Sequence, residues 1–293
     1  MPIKSDLAKR NKDLFSRQPP TWCPGCGLYG ILEALKRAAV SLELEPAEIV
    51  VVTGIGCHGR FPNYFLSYGF HGLHGRVVPV ASGIKMVNPK LKVIGISGDG
   101  DAYSIGLNHL LHAARRNSNI LIIVPNNRVF ALTQGQASPT SPRGFVSIST
   151  PFGTVETPLD GLKLALGAGA TFIARGFSGE VDHLVSLFKA GLSHSGFALI
   201  DVLSPCITYN KINTYDWYKK RIEILPSTEE VANDKEQAWR WLNREDRFVL
   251  GILYMEVRDS FEQLILSDSK RAIAHLELHP EKEKVFRLME KFI

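Results

Sequence analysis

The protein has 293 residues, 45% of them hydrophobic, so it is expected to form one large domain or one domain with an appendage. Its net charge of +5 comes from scattered Lys and Arg residues, which predicts that it does not bind nucleic acid. The charged N-terminal segment and the lack of long apolar runs predict a cytoplasmic protein without a signal peptide or membrane span. In that reducing compartment the 4 cysteines favour metal binding or catalysis over disulfides.

Strand-like and helix-like segments alternate over the first 205 residues. Short, β-branched apolar runs suit strands that are buried on both faces of a parallel sheet, and stretches with helical spacing of apolar residues lie between them. In chain order, the predicted elements are a helix at 29–39, strands at 49–53 and 92–96, a helix at 106–116, strands at 120–124 and 172–174, a helix at 181–192 and a strand at 198–202. This alternation predicts an α/β fold with a doubly wound, mostly parallel sheet.

The rest of the chain has a different texture. Residues 126–158 are rich in Thr, Ser, Pro and Gly and are predicted to form a long loop, which in a compact domain is usually functional. The main domain is expected to span 1–226, and 227–293 is predicted to be a helix-rich appendage that packs on the core or on a partner subunit. An apolar stripe near the C-terminus predicts a helix that docks on protein. Its members are Val285, Leu288, Met289 and Phe292.

Acidic and amide side chains follow two consecutive predicted strands. The first strand is followed by the candidate cofactor-binding residues Gly98, Asp99, Gly100 and Asp101. Glycines at a strand–helix junction let the backbone approach a phosphate, and a helix N-terminus favours negative charge. Asp99 and Asp101 would repel that phosphate, and a Mg²⁺ ion between them resolves the conflict. Asn126 and Asn127 follow the next strand, where an amide oxygen can complete the metal shell.

The pair formed by GDG and the later NN resembles the thiamine-diphosphate-binding motif. The resemblance implies that Asp99 and Asn127 provide side-chain oxygens to Mg²⁺ and that Val129 provides its backbone carbonyl. Asn126 and Asn127 could exchange roles in this assignment. The alternative interpretation is two ordinary βα turns, because Gly and Asp are common in turns.

All four cysteines lie next to Gly or Pro at predicted element ends. Cys23 and Cys26 form a C-x-x-C motif, while Cys57 and Cys206 each follow a predicted strand. A C-x-x-C motif alone fits zinc, an iron–sulfur cluster or a redox dithiol. Four thiolates can hold either a [4Fe–4S] cluster or tetrahedral Zn²⁺, and the residues alone leave both open.

Several motifs follow one another in the order typical of a known family. They are TWCPGCG, GIGCHGRFPNYF, YGFHGLHGRVVPVASGIKMVNP, GDGDAYSIG and NNRVFALTQGQASPTSP. Over about residues 15–260 the chain resembles the β subunits of 2-oxoacid:ferredoxin oxidoreductases. The resemblance implies that Cys23, Cys26, Cys57 and Cys206 hold a [4Fe–4S] cluster beside thiamine diphosphate and Mg²⁺.

The same resemblance implies a reaction and partners. The expected reaction is oxidative decarboxylation of a 2-oxoacid with coenzyme A, giving acyl-CoA and CO₂, with electrons passing through the cluster to ferredoxin. Reductive carboxylation uses the same site in reverse. An α subunit, or a fused γα chain, is expected to supply the glutamate that activates thiamine, which predicts an obligate hetero-oligomer.

Further polar residues are candidates for the catalytic site. Arg60 suits a substrate carboxylate or a phosphate, and the resemblance associates a basic residue at this position with 2-oxoacid binding. His58 is a candidate for contact with the cluster sulfurs or the substrate, His74 for contact with the diphosphate, and Gln134 for the substrate entrance. For each of them, a surface or packing role is the alternative.

Two other classes of function remain at this point. The first is a non-redox thiamine-dependent lyase or synthase in which the four cysteines hold structural zinc. The second is an electron-transfer or scaffold protein without catalysis. The paired GDG and NN segments argue against the second class, because an electron carrier has no use for a thiamine site.

Overall fold

The structure is a computed structural model that describes residues 12–226, 233–266, 273–275 and 281–290. Its strands are β1 (Ile49–Thr53), β2 (Tyr68–His71), β3 (Lys92–Ile96), β4 (Leu121–Asn126), β5 (Val129–Phe130), β6 (Gln136–Ala137), β7 (Phe172–Phe177), β8 (Ala198–Leu203), β9 (Ile222–Ile224) and β10 (Phe248–Met255). Its α-helices are α1 (Leu28–Ser41), α2 (Phe61–Tyr64), α3 (Val77–Val87), α4 (Leu107–Arg116), α5 (Gly161–Gly167), α6 (Val181–Ser193), α7 (Tyr215–Lys219), α8 (Lys235–Leu242), α9 (Phe261–Ile265) and α10 (Lys282–Met289).

Eight strands form one sheet in the order β2-β1-β3-β4-β8-β7-β10-β9. The pairings are parallel except for β10, which runs antiparallel to β7. Helices α1 and α6 pack on one face, and α3, α4, α5 and α8 pack on the other, so an apolar layer lies on each side of the sheet. The prediction of a doubly wound, mostly parallel α/β fold is confirmed.

Burial explains which strands the sequence predicts well. Every residue of β1, β4, β7 and β8 is buried, and these strands carry the near-continuous apolar runs expected of strands covered on both faces. The five predicted strands are all present, as are the three predicted helices. Strand β2 was not predicted, because it is a short edge strand, contains a glycine and is exposed at every residue.

The C-terminal segment contributes to the sheet as well as providing helices. In its described part lie α8, α9 and α10, in line with a helix-rich segment, but β10 also lies beyond residue 226 and extends the main sheet. The apolar run FVLGILYM could have predicted this strand. The division of the chain at 226 stays a prediction. Val285, Leu288 and Met289 are exposed on α10, Phe292 lies outside the described residues, and docking of this stripe on protein stays a prediction.

The predicted loop at 126–158 runs across the carboxyl edge of the sheet. It contains no α-helix, and its regular structure is the two-stranded hairpin of β5 and β6. Within the described residues, no helix is both long enough and apolar enough to span a membrane.

Candidate functional site

Two cavities open next to each other at the carboxyl ends of β1, β3, β4 and β8. The smaller has a volume of about 210 Å³ and the larger of about 550 Å³. Residues that line both cavities include Leu28, Ile55, Gly56, Cys57 and Asn127. Parallel strands bring their carboxyl ends together at one edge, which is where ligands bind in open α/β sheets.

Asp99 is a buried carboxylate in the wall of the smaller cavity. Its Oδ2 accepts hydrogen bonds from Ser138 Oγ and Thr140 Oγ1, each at 2.6 Å. Burial raises the pKa of Asp99, although these hydroxyls and the backbone N–H groups of Asn127 and Gly100 act to lower it. A divalent cation would stabilise the charged form of a carboxylate whose pKa is raised by burial.

Asp101 also lines the smaller cavity, and both of its carboxylate oxygens accept hydrogen bonds from the protein. Gly75 N–H donates to its Oδ1 at 2.6 Å, and Ser97 Oγ donates to its Oδ2 at 2.6 Å. Burial acts to raise the pKa of Asp101, but hydrogen bonds from His58, Ser97 and Gly75 outweigh it and lower the pKa. A Cβ atom on Gly54 would lie 2.0 Å from Asp101 Oδ2, so the strand end can pass the carboxylate only as glycine. Asp101 therefore stabilises the loops around the cavity through these hydrogen bonds.

The two asparagines after β4 point in different directions. Asn126 is buried, and its Nδ2 donates to Asp201 Oδ2 at 3.1 Å while its Oδ1 lies 3.1 Å from Thr140 Oγ1. Asn127 lines both cavities, and its Oδ1 accepts from Val129 N–H at 3.0 Å. Of the two, Asn127 is therefore the one that lines the cavities beside Asp99.

The histidines predicted for the site lie beside Asp101. His58 is buried, and its Nε2 lies 3.2 Å from Gly98 N and 3.5 Å from Asp101 Oδ2. It accepts from Gly98 while Nε2 is unprotonated and pairs with Asp101 when Nε2 is protonated. His74 Nδ1 lies 2.7 Å from Asp101 Oδ1. Both side chains line the smaller cavity, as do Gly98 and Gly100.

The four thiols line the larger cavity together, and Cys57 lines the smaller one as well. Burial, reinforced by the nearby Cys206, Cys57 and Cys23 thiols, raises the pKa of Cys26 to about 12. Burial and the thiols of Cys206 and Cys23 also raise the pKa of Cys57. Cys26 and Cys57 therefore each lie close enough to the other three thiols for their charges to interact. Among the described residues, no group of three or more His, Cys, Asp or Glu side chains forms a ready-made site for a metal ion.

Close backbone contact brings the C-x-x-C turn against the end of β8. Gly27 N–H donates to Pro205 O at 3.2 Å, next to Cys206. A Cβ atom on Gly27 would lie 2.3 Å from Ser204 Oγ, and one on Gly30 would lie 2.1 Å from Ser178 O. The glycines in this segment thus allow α1 to begin close enough to bring Cys23 and Cys26 near Cys206.

Arg60 and Gln134 occupy different positions relative to the cavities. Arg60 is exposed and lines the larger cavity, where its Nη1 donates to Thr21 Oγ1 at 3.1 Å. Gln134 is exposed at the tip of the β5–β6 hairpin with φ of 80°, and it is not among the residues that line either cavity. Its role at the substrate entrance stays a prediction.

Sequence reasoning missed three polar residues of the site. Ser138 and Thr140 lie in the long loop, where no periodicity showed that their hydroxyls meet Asp99. Asp201 is the third, and burial raises its pKa to about 6. A signal for Asp201 was available, because it is a carboxylate within the otherwise apolar strand ALIDVL.

Comparison with protein families assigns this architecture to a class. Residues 54–202 match the family described as "Thiamine pyrophosphate enzyme, C-terminal TPP binding domain". Residues 206–267 match the family described as the C-terminal part of the pyruvate ferredoxin oxidoreductase β chain. The first match spans the strands that carry Asp99, Asn127 and Asp201, so the protein is of the thiamine-pyrophosphate-enzyme class.

Individual relatives narrow the class to one family. The chain is 42% identical over 285 residues to a 2-oxoacid:ferredoxin oxidoreductase subunit beta from a Sulfolobus species, covering 92% of each chain. It is 41% identical to subunit beta of 2-oxoacid:ferredoxin oxidoreductase 1 from Aeropyrum pernix, covering 83% of this chain and 80% of the other. The solved 2-oxoglutarate:ferredoxin oxidoreductase from Magnetococcus marinus matches with a TM-score of 0.87 and 36% identity, over 94% of both chains. The chain belongs to the β subunits of 2-oxoacid:ferredoxin oxidoreductases.

In the metal-free chain, Cys26 is expected to react with iodoacetamide at least about tenfold more slowly than Cys23 near pH 8, because only thiolates react. The Cys26 thiol, whose pKa is raised to about 12, stays protonated at that pH, whereas Cys23 is exposed. Mass spectrometry of peptides from a time course measures both rates. Denaturant serves as the control, since it removes burial and should equalise the two cysteines. Equal rates in the native chain would contradict the packing of the thiols.

Proposed function

We propose that the chain forms, with an α-type subunit, an enzyme that oxidatively decarboxylates a 2-oxoacid with coenzyme A to acyl-CoA and CO₂. Electrons leave through a [4Fe–4S] cluster to ferredoxin, and the reverse reaction is reductive carboxylation. One observation carries this proposal: the Asp99 cavity and the four-cysteine cavity adjoin and share Cys57 in their walls. A non-redox lyase would have no need for four thiols beside its cofactor.

The smaller cavity suits the diphosphate of thiamine diphosphate with Mg²⁺. Asp99, Asn127 and the backbone carbonyl of Val129 are the assigned oxygen ligands, a chemistry that Mg²⁺ prefers. Support comes from Asp99, which is buried and has no cationic partner among the described residues, and from Asn127, which lines the cavity. Gly98 and Gly100 leave room for the diphosphate, and His74 lies within reach of it as a candidate donor. When bound, thiamine diphosphate supplies the nucleophile and the electron sink for loss of CO₂.

The larger cavity suits an iron–sulfur cluster held by the four cysteines. Four thiolates can bind either a [4Fe–4S] cluster or one Zn²⁺ ion. All four thiols line one cavity, which adjoins the Asp99 cavity. The cluster is favoured over zinc because the relatives are oxidoreductases that use ferredoxin, and zinc carries no electrons.

Substrate recognition is assigned to side chains at the edge of the cavities. The charged Arg60 lines the larger cavity, and its guanidinium donates a hydrogen bond to Thr21. This position suits Arg60 to bind a substrate carboxylate. His58, at the boundary with the smaller cavity, is the candidate for a contact with substrate or cluster. Gln134 remains a candidate for the entrance, where movement of the hairpin would be needed to bring it to the site.

The proposed partner supplies what the described residues lack. No glutamate is among the residues that line the smaller cavity in the described part of the chain, and thiamine enzymes use one to activate the cofactor. An α subunit, or a fused γα chain, provides it in this proposal, and ferredoxin accepts the electrons. The Magnetococcus structure was solved with 2-oxoglutarate, coenzyme A and succinyl-CoA bound, which supports coenzyme A as co-substrate here.

Asp99→Ala in the complex with the partner subunit is expected to remove bound Mg²⁺ and thiamine diphosphate while the iron content stays unchanged. The loss of Mg²⁺ affinity should exceed the roughly 10–100-fold that removal of an outer-shell partner costs. Thiamine diphosphate and iron are measured on the same purified sample. Asp182→Ala is the control, since Asp182 is exposed and pairs with Arg37 far from the site. Wild-type thiamine diphosphate stoichiometry in Asp99→Ala would refute the ligand assignment.

Cys206→Ala is expected to lower iron and sulfide well below the about four atoms of each per chain that a [4Fe–4S] cluster contains. The anaerobically purified wild-type complex should be brown, and the variant should lose most of this visible absorption. Thr208→Ala, which lines the same cavity without a thiol, is the matched control and should keep its colour. A colourless wild-type protein with one zinc per chain would favour the lyase or synthase instead.

A further inference from the structure

Asp201 is a buried charge at the centre of the sheet. It is the one charged residue of β8, with a relative exposure of 4%, and it lies between Val124 of β4 and Arg175 of β7 in the strand register. A buried carboxylate costs free energy unless hydrogen bonds compensate it. Its position in an otherwise apolar strand therefore requires a reason beyond packing.

The hydrogen bonds of Asp201 reach the first half of the cofactor motif. Tyr103 OH donates to Asp201 Oδ2 at 2.7 Å. Tyr103 is buried in the π-helical turn Asp101–Ile105, which directly follows the glycine-rich turn that carries Asp99. A Cβ atom on Gly161 would lie 2.1 Å from the Tyr103 ring, so the ring has little freedom to move. Asp201 thereby holds the turn after Asp99 in place.

The same carboxylate also reaches the second half of the motif. Asn126 Nδ2 lies 3.3 Å from Asp201 Oδ1 and 3.1 Å from Oδ2, which fixes which way the amide points. The Asn126 carbonyl oxygen then lies 3.1 Å from Thr140 Oγ1, and that hydroxyl lies 2.6 Å from Asp99 Oδ2. The Thr140 hydroxyl has one proton, and the charged oxygen at the shorter distance is the stronger acceptor.

We infer that Asp201 is a positioning residue that holds the two halves of the Mg²⁺ and diphosphate site together through Tyr103 and Asn126. The inference rests on the proposed function, because it concerns the geometry of that site. Asp201 itself lines neither cavity, so it acts on the bound ion only through these side chains. Outer-shell partners of this kind orient the ligands that touch the metal.

Asp201→Asn tests this role in the complex with the partner subunit. The variant keeps the size of the side chain but replaces an oxygen that accepts from Tyr103 and Asn126. We expect the apparent Kd for Mg²⁺, at saturating thiamine diphosphate, to rise by about 10–100-fold. Mg²⁺ is titrated into chelator-treated complex, and retained thiamine diphosphate is measured after gel filtration. An unchanged Kd for Mg²⁺ in Asp201→Asn would overturn the inference.

Thr171→Val is the matched structural control. Thr171 is fully buried at the opposite end of the same strands, where its Oγ1 donates to Asn117 Oδ1 at 2.6 Å. We expect this variant to lower the Tm yet keep the Kd for Mg²⁺ within about twofold, because distant sites act independently. A rise in this Kd as large as that in Asp201→Asn would mean that general destabilisation causes the effect, and would overturn the inference.

A double-mutant cycle with Tyr103→Phe tests the route. If Asp201 acts through Tyr103, the double variant should weaken Mg²⁺ binding by less than the product of the two single effects. Fully multiplicative effects would refute this route. Should Asp201→Asn fail to fold, Tyr103→Phe keeps the carboxylate and should still raise the Kd for Mg²⁺, and a wild-type value there would overturn the inference. Wild-type complex that binds no Mg²⁺ with thiamine diphosphate would instead refute the proposed function.

Discussion

Burial of the Asp99 carboxylate is the constraint around which this site is organised. Two hydroxyls from the long loop, Ser138 and Thr140, donate to one of its oxygens, and burial still raises its pKa. These hydrogen bonds connect the loop over the sheet edge to the turn that follows β3. Both donors are neutral hydroxyls, so they do not balance the negative charge of the carboxylate. A cavity beside a buried carboxylate of this kind suits a bound cation.

The cavity lined by Asp99 and the cavity lined by the four cysteines adjoin at one edge of the sheet. The proposed oxygen ligands lie at or just after the ends of β3 and β4, whereas the thiols come from the segment before α1 and from the ends of β1 and β8. Cys57 lines both cavities because the end of β1 lies next to β3 in the sheet. In the proposed enzyme, this shared wall places the electron acceptor directly beside the site of decarboxylation. The parallel sheet brings the strand ends together, and the close approach of α1 to the end of β8 adds Cys23 and Cys26.

Much of this arrangement could be predicted from the sequence, and the rest depends on long-range contacts. Strands β3 and β4 were predicted because they are short and largely apolar, and the GDG and NN segments lie at the strand ends where those predictions placed them. The path of the loop carrying Ser138 and Thr140 could not be predicted, since it has no periodicity. Asp201 was visible as a charge within an apolar strand, but its contact with Tyr103 spans 98 residues. Strand β10 was overlooked in a segment whose charged residues suggested helices only.

In the proposed enzyme, this chain provides the diphosphate, Mg²⁺ and cluster half of an active site whose other half lies on a partner. The most direct measurement compares 2-oxoacid-dependent reduction of a viologen dye by the isolated chain and by the co-purified complex. Both samples contain thiamine diphosphate, Mg²⁺, coenzyme A and equal cluster content. We expect turnover by the complex and none by the isolated chain, because activation of the cofactor requires the partner's carboxylate. Robust turnover by the isolated chain would contradict it.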